Sequence, residues 1–172
     1  MATATITPGQ DTVLTEIFIA APPERVFEAI TDPSQLAKWW GASGLYRLTE
    51  TATDIRPGGK WFSVGVGSDG TPFRVEGEYL EVEPPRRLVH TWTASYMGTL
   101  KTTVYWDLQP QPVPGLHPSG PRKAGIGTLV KLRHEGFAGA PQAAIGHGEG
   151  WKRVMGWLVA YVEEGETVDT RK

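Results

Sequence analysis

Hydrophobic and polar residues alternate with a period of two along much of the chain before residue 136, which is typical of β-strands. Residues 12–20 place Val, Thr and Ile side chains on one side, and residues 100–108 and 128–134 repeat the pattern. Between residues 45 and 135 such segments are separated by Gly, Pro and Asp turns. The pattern predicts an antiparallel sheet of about six or seven strands.

Two short helices are predicted between the first strand and the rest of the sheet. Pro22 and Pro23 end the strand and can open a helix, because a proline in the first turn loses no needed hydrogen bond. Asp32 is a second helix start, since Pro33 follows it and Gln35 stands at the third position.

A long C-terminal helix is predicted because the apolar period changes after residue 141. A stripe with spacings of three and four runs through His147, Trp151, Met155, Leu158 and Val162. The helix is expected from about Gln142 to Glu164, long enough to cross the sheet. The expected fold class is α+β, with a curved antiparallel sheet wrapped around this helix. Residues 1–172 form a single domain in this reading, with a core at about 12–164.

Composition excludes several kinds of function. The 172 residues carry a formal net charge of −2. The absence of Cys excludes disulfides, iron–sulfur clusters and a Cys nucleophile. The sequence has no basic patch of the kind that indicates a nucleic-acid partner. It also has no apolar run that approaches the roughly 20 residues needed to span a bilayer. No signal peptide is recognisable at the N-terminus, so the expected location is cytoplasmic.

No motif in the chain predicts a metal or a cofactor. The four histidines, at positions 90, 117, 134 and 147, lack the spacing of a metal site. Residues 65–70 match G-x-G-x-x-G, but a strand follows rather than a helix, so a hairpin turn is expected. Glutamates at 76, 78, 81 and 83 are expected on a solvated face. The Pro-rich loop, residues 109–127, holds a P-x-x-P at 118–121 and is a place for a partner contact.

The aromatic residues indicate a pocket. Seven Trp occur in a chain of this size, and six of them fall on elements that should surround the space between the last helix and the sheet. Ligand pockets are apolar and aromatic with a few polar groups, although a core filled with bulky side chains gives the same composition. His134 ends the apolar face of a strand and His147 begins the helix stripe, so both can point into this space.

Several strings, in order along the chain, resemble the START-like, or SRPBCC, superfamily with its helix-grip fold, and above all the branch named for the activator of the heat-shock protein 90 ATPase. The matching strings are residues 21–27, 31–33, 39–40, 54–61, 77–79 with 84–88, 127–128 with Leu132, and 147–151.

The resemblance implies an apolar cavity between helix and sheet that takes a lipid, polyketide or other small hydrophobic molecule. Together with the aromatic and histidine patterns, it gives the expected ligand-binding residues: Trp40, Phe62, Phe73, Trp92, Trp106, His134, His147, Trp151 and Met155. The additional N-terminal domain of the eukaryotic co-chaperone has no counterpart here.

Three functions remain open from the sequence. The first is binding of a small hydrophobic ligand with His134 or His147 as polar contact. The second is a cyclase or aromatase-like enzyme that uses a pocket histidine. The third is a co-chaperone-like module, associated with the stress response, that binds a chaperone or another protein. A cavity below about 300 Å³ would favour the third.

Overall fold

Nine antiparallel strands form one sheet in the described residues of the computed structural model, which are 3–9, 11–113 and 125–171. The strands are β1 (Thr3–Ile6), β2 (Thr12–Ile19), β3 (Gly41–Ala42), β4 (Tyr46–Thr53), β5 (Lys60–Gly67), β6 (Pro72–Glu83), β7 (Arg87–Ala94), β8 (Lys101–Pro112) and β9 (Ile126–Glu135). Their order across the sheet is β1-β2-β9-β8-β7-β6-β5-β4-β3. The first long strand therefore lies beside the last one.

The sheet has more strands than the six or seven that the sequence predicts. The two unpredicted strands, β1 and β3, are its edges and contain four and two residues. A segment of two to four residues cannot show a recognisable alternation of apolar and polar positions, so its pairing depends on the neighbouring strand. The predicted inward face of β2 is confirmed, since Val13, Thr15, Ile17 and Ile19 are all buried.

The two short helices lie where the sequence predicts them, at α1 (Pro23–Thr31) and α2 (Pro33–Trp39). Asp32 caps α2, because its carboxylate accepts a hydrogen bond from the Ser34 backbone N–H at 2.9 Å. The bond from the Ser34 hydroxyl contributes most to lowering the pKa of Asp32. Val26, Phe27 and Ile30 of α1 join the core.

The long helix α3 (Pro141–Glu164) has 24 residues, about 36 Å at 1.5 Å per residue. It packs against β1, β2 and α1. Gly165 ends it in the left-handed conformation at φ 73°, where its N–H bonds the carbonyl of Tyr161. The chain then returns along α2, and the Val168 N–H donates to the Lys38 carbonyl at 2.8 Å.

The segment 65–70 ends β5 and forms the hairpin turn into β6, as predicted, with Gly70 at φ 84°. The glutamates of β6 line an outward face. Glu76, Glu78 and Glu81 form ion pairs with Arg74, Lys60 and Arg87 in turn.

The Pro-rich loop is shorter than its predicted bounds of 109–127, because β8 and β9 pair to their ends, Pro112 opposite Ile126. Pro110 and Pro112 fit in β8 because Asp107 is the last residue of β8 that pairs with β7. Beyond it, the missing N–H groups of the two prolines face no neighbouring strand. His117 and the P-x-x-P at 118–121 lie outside the described residues.

Candidate functional site

An inner cavity of about 90 Å³ lies against the inner face of the sheet. Strands β5, β6, β7 and β8 form its floor, while α1, α2 and Trp151 of α3 close it from above. Its lining is mostly aromatic and aliphatic and consists of Ile30, Leu36, Trp40, Leu48, Thr53, Trp61, Ser63, Phe73, Val75, Tyr79, Leu88, His90, Trp92, Tyr96, Trp106 and Trp151.

An outer groove of about 720 Å³ lies between the first half of α3 and the turn that follows β7. The helix contributes Gly146, His147 and Gly150, and the turn contributes Tyr96 and Met97. A Cβ atom added at either glycine would meet nothing within 4 Å among the described residues, so the missing side chains leave the groove open.

Three side chains, Trp92, Tyr96 and Trp151, line both the inner cavity and the outer groove. Trp92 is central to the cluster: its ring centroid lies 5.8 Å from that of Trp151, 5.4 Å from that of Trp61 and 6.4 Å from that of Trp40. These rings separate the two spaces. A molecule that occupied both would have to contact them.

His134 is fully buried, and both of its ring nitrogens are hydrogen-bonded. The indole N–H of Trp151 donates to Nδ1 at 3.0 Å, so Nε2 carries the proton and donates to the Thr102 hydroxyl at 2.6 Å. Thr102 in turn donates to the Trp92 carbonyl. Burial lowers the pKa of His134 well below 6.5, and nearby His147 lowers it further. His134 is therefore neutral at pH 7 and orients Trp151.

His90, on β7, also has both of its ring nitrogens hydrogen-bonded. Its Nδ1 donates to the Thr91 carbonyl at 3.1 Å, and its Nε2 accepts from the Trp106 indole at 3.1 Å. Burial lowers the pKa of His90 to about 4. His90 thus lines the cavity as a neutral ring and fixes the position of Trp106.

His147 keeps one buried ring nitrogen unpaired. Its Nδ1 donates to the Ala143 carbonyl one turn earlier in α3, at 2.8 Å. Its Nε2 is buried and bonds to no partner within the described residues, and burial lowers the pKa of the ring. His147 lines the outer groove, and its buried Nε2 is an acceptor that the described residues leave unused.

Five of the nine expected ligand-binding residues line the inner cavity: Trp40, Phe73, Trp92, Trp106 and Trp151. His147 lines the outer groove instead. His134 and Met155 lie behind the lining, both fully buried.

Phe62 does not join the others. Trp61 and Ser63 face inward, so Phe62 points to the opposite face of β5, where the Arg74 guanidinium lies 4.3 Å from its ring centroid.

The expected site omits Trp61, His90 and Tyr96, which the structure brings to the cavity. One signal could have found His90: it stands two residues before Trp92 on the same strand and so shares its face. Trp61 is adjacent to Phe62, and two neighbouring aromatics do not reveal which one faces inward. Tyr96 follows the strand and has no periodic signal.

Within the described ranges, no group of three or more His, Asp or Glu residues is placed to hold a metal ion. None of the helices in these ranges combines the length and the apolar character that a membrane span requires.

Comparison with solved structures shows the same fold in several bacterial proteins. One from Mycobacterium smegmatis has a TM-score of 0.73 and 21% identity, over 95% of this chain and 98% of that one. One from Chromobacterium violaceum has a TM-score of 0.69 and 26% identity, over 89% and 97%. DynU16, a protein of the dynemicin biosynthetic locus, has a TM-score of 0.66 and 22% identity, over 94% of this chain and 50% of DynU16.

None of the curated proteins matches this sequence. A family profile does: the one described as "Activator of Hsp90 ATPase homolog 1-like protein" matches residues 20–114, more than half of the chain. The matched part includes α1, α2 and most of the cavity lining. Together with the helix-grip fold, this match confirms the resemblance seen in the sequence: the chain belongs to the activator of Hsp90 ATPase homolog 1-like family.

Proposed function

We propose that this protein binds a small, largely apolar molecule through the outer groove and the inner cavity. The observation that carries the proposal is the pairing of the two spaces around Trp92, Tyr96 and Trp151. A groove that is apolar, with a few polar groups, is the usual composition of a ligand site.

The volumes constrain how such a molecule binds. The inner cavity, about 90 Å³, is too small for a whole ligand, whose pockets span roughly 300 to 1,000 Å³. The outer groove, about 720 Å³, is large enough. The body of the ligand therefore lies in the groove against α3, and only a small terminal group enters the inner cavity.

His147 is the polar contact that fits this arrangement best. The ring nitrogens of His134 are occupied by Trp151 and Thr102, whereas Nε2 of His147 has no partner among the described residues. A hydroxyl or N–H group of the ligand would satisfy that buried acceptor. Of the two histidines that the sequence offers, His147 takes the orienting role in this proposal.

The test uses 2-isopropenylnaphthalene, an aromatic hydrocarbon, and follows the indole ¹H–¹⁵N resonances of the protein. Trp92 and Trp151 should shift on titration, while Trp39, which lines neither space, should not. Gly150→Leu places a side chain in the groove and should weaken binding by at least about tenfold. Gly156→Leu is the matched control, because Gly156 is an exposed glycine of the same helix away from the groove.

Two results would contradict ligand binding in the groove. One is an absence of saturable shifts at any soluble concentration of the hydrocarbon. The other is an equal loss of affinity in Gly150→Leu and Gly156→Leu, which would indicate an effect on the helix and not on the groove.

Binding of a partner protein is the second candidate, and the small enclosed volume favours it. The description of the family names an activator of the Hsp90 ATPase. ATP hydrolysis by purified Hsp90, with and without this chain, tests the candidate. If the role is to bind a small molecule, the rate of ATP hydrolysis should not change. A stimulation that is lost in Gly150→Leu and kept in Gly156→Leu would favour protein binding through the groove.

A further inference from the structure

Four of the seven indole N–H groups in this protein donate to protein acceptors, and two buried ones have no partner among the described residues. Four Trp side chains donate to protein acceptors at 2.8 to 3.1 Å: Trp39 to Ala29, Trp40 to Tyr46, Trp106 to His90 and Trp151 to His134. Two buried indole nitrogens, those of Trp61 and Trp92, have no hydrogen-bond partner among the described residues. Both of these side chains line the inner cavity.

The Trp92 nitrogen has a polar neighbour in the Tyr96 hydroxyl. Both side chains line the inner cavity, but no hydrogen bond joins them in the described residues. A small movement of Tyr96, which is 61% exposed, would satisfy Trp92. Trp61 is different, because it lies within β5 and its ring packs edge-on against His90, with the ring centroids 5.1 Å apart.

The Trp61 indole lies over a glycine of the neighbouring strand. Gly77 is directly opposite Trp61 in the β5–β6 pair, and a Cβ atom at position 77 would be 2.7 Å from Nε1 and 2.0 Å from the Thr91 carbonyl oxygen, so only glycine leaves room for the indole there. Two other polar side chains of the cavity wall are already bonded: Ser63 to Thr51 at 2.8 Å and His90 to Thr91 and Trp106. Trp61 therefore offers a donor that the protein leaves unused.

Resting on the function proposed above, we propose that the inner cavity is a subsite for a small carbonyl-bearing end of the ligand, whose oxygen accepts a hydrogen bond from Trp61 Nε1. A buried donor without an acceptor is unfavourable, and a ligand oxygen removes that penalty. The volume of about 90 Å³ fits a group of about three non-hydrogen atoms, at about 30 Å³ each as in liquid water. Acetyl and similar ketone or ester ends have this size.

The experiment compares two probes of nearly the same shape. In 2-acetylnaphthalene a C=O group replaces the C=CH₂ group of 2-isopropenylnaphthalene, so the pair differs in the acceptor alone. The wild-type protein should bind the ketone about tenfold more tightly than the alkene. Trp61→Phe, which keeps an aromatic ring and removes the N–H, should bind both with equal affinity. Trp157→Phe, outside both spaces, should keep the preference for the ketone.

A second readout needs no variant. The indole N–H resonance of Trp61 in the wild-type protein should move downfield with the ketone and not with the alkene, because only the ketone accepts its hydrogen bond. This measurement decides the question if Trp61→Phe fails to fold.

The outcomes separate this proposal from the function on which it rests. Equal affinity of the wild-type protein for both probes, or a ketone preference that survives in Trp61→Phe, would overturn the carbonyl subsite and leave ligand binding in place. That is the result expected if water alone occupies the cavity. Failure of both probes to bind would contradict the proposed function and the subsite together.

Discussion

At the scale of single residues, the buried histidines act as hydrogen-bond partners for Trp side chains. His134 accepts from Trp151, and His90 accepts from Trp106. In each case the other ring nitrogen donates to the protein, so the tautomer is fixed. Two of the aromatic rings around the cavity are thereby held in place by neutral imidazoles.

Replacement of Thr102 by Val should destabilise the protein by about 1 to 3 kcal/mol. The change keeps the shape of the side chain but removes the acceptor of the His134 Nε2–H, which is then buried and unsatisfied. Thr103→Val is the control, because Thr103 is the next residue of β8 and faces the opposite side of the sheet. Urea unfolding measures both variants, and equal stabilities would mean that the His134 network adds nothing.

At the scale of elements, α3 carries glycines that lower its own stability. Gly146, Gly150 and Gly156 lie inside the helix, and glycine there costs about 1 kcal/mol relative to alanine. Two of the three face the outer groove, where any side chain would fill part of the groove. The helix is therefore less stable than it could be at the positions that keep the groove open.

Alanine at position 146, 150 or 156 should raise the free energy of unfolding by up to about 1 kcal/mol in each case, because a Cβ there meets no neighbour among the described residues. Alanine at 165 should have the opposite effect, since Gly165 ends the helix at φ 73°, a conformation that alanine adopts only with strain. Thermal denaturation compares the four variants. A loss of stability at 146 or 150 would show that these glycines are required for packing.

At the scale of the whole molecule, stability should depend on pH through the buried histidines His90 and His134 and the half-buried His147. Burial lowers the pKa of His90 to about 4 and lowers those of His134 and His147. In the unfolded chain each ring titrates near 6.5. Below that pH the unfolded state takes up protons that the folded state does not, so stability falls as the pH is lowered.

For His90 alone, the loss between pH 7.5 and pH 5 should be about 2 kcal/mol, given a folded pKa of about 4 and an unfolded value of about 6.5. His134 and His147 act in the same direction. Urea midpoints measured from pH 8 to pH 5 give the slope, and His90→Gln, which keeps an acceptor for Trp106, should make it shallower. A slope that does not change in this variant would mean that His90 is accessible to protons in the folded state.

Much of the architecture followed from periodicity. The helices α1, α2 and α3 and the inward face of β2 agree with the pattern because each is long enough, or is capped clearly enough, for local signals to decide. The edge strands β1 and β3 could not be predicted, since their pairing depends on neighbours and not on their own composition. The sequence predicts Pro110 in a loop. It fits in β8 only because the pairing of β8 with β7 does not extend past Asp107.

The sequence by itself determined that an aromatic set and two histidines converge between a long helix and an antiparallel sheet, because strand alternation and helical spacing place them on the inner faces. The tertiary structure decided which of them meet. In β5, Phe62 is expected in the site, yet Trp61 and Ser63 point inward, and the register with β6 sets Trp61 opposite Gly77. That register, a long-range property of the sheet, turns one indole toward the cavity and leaves its N–H without a partner.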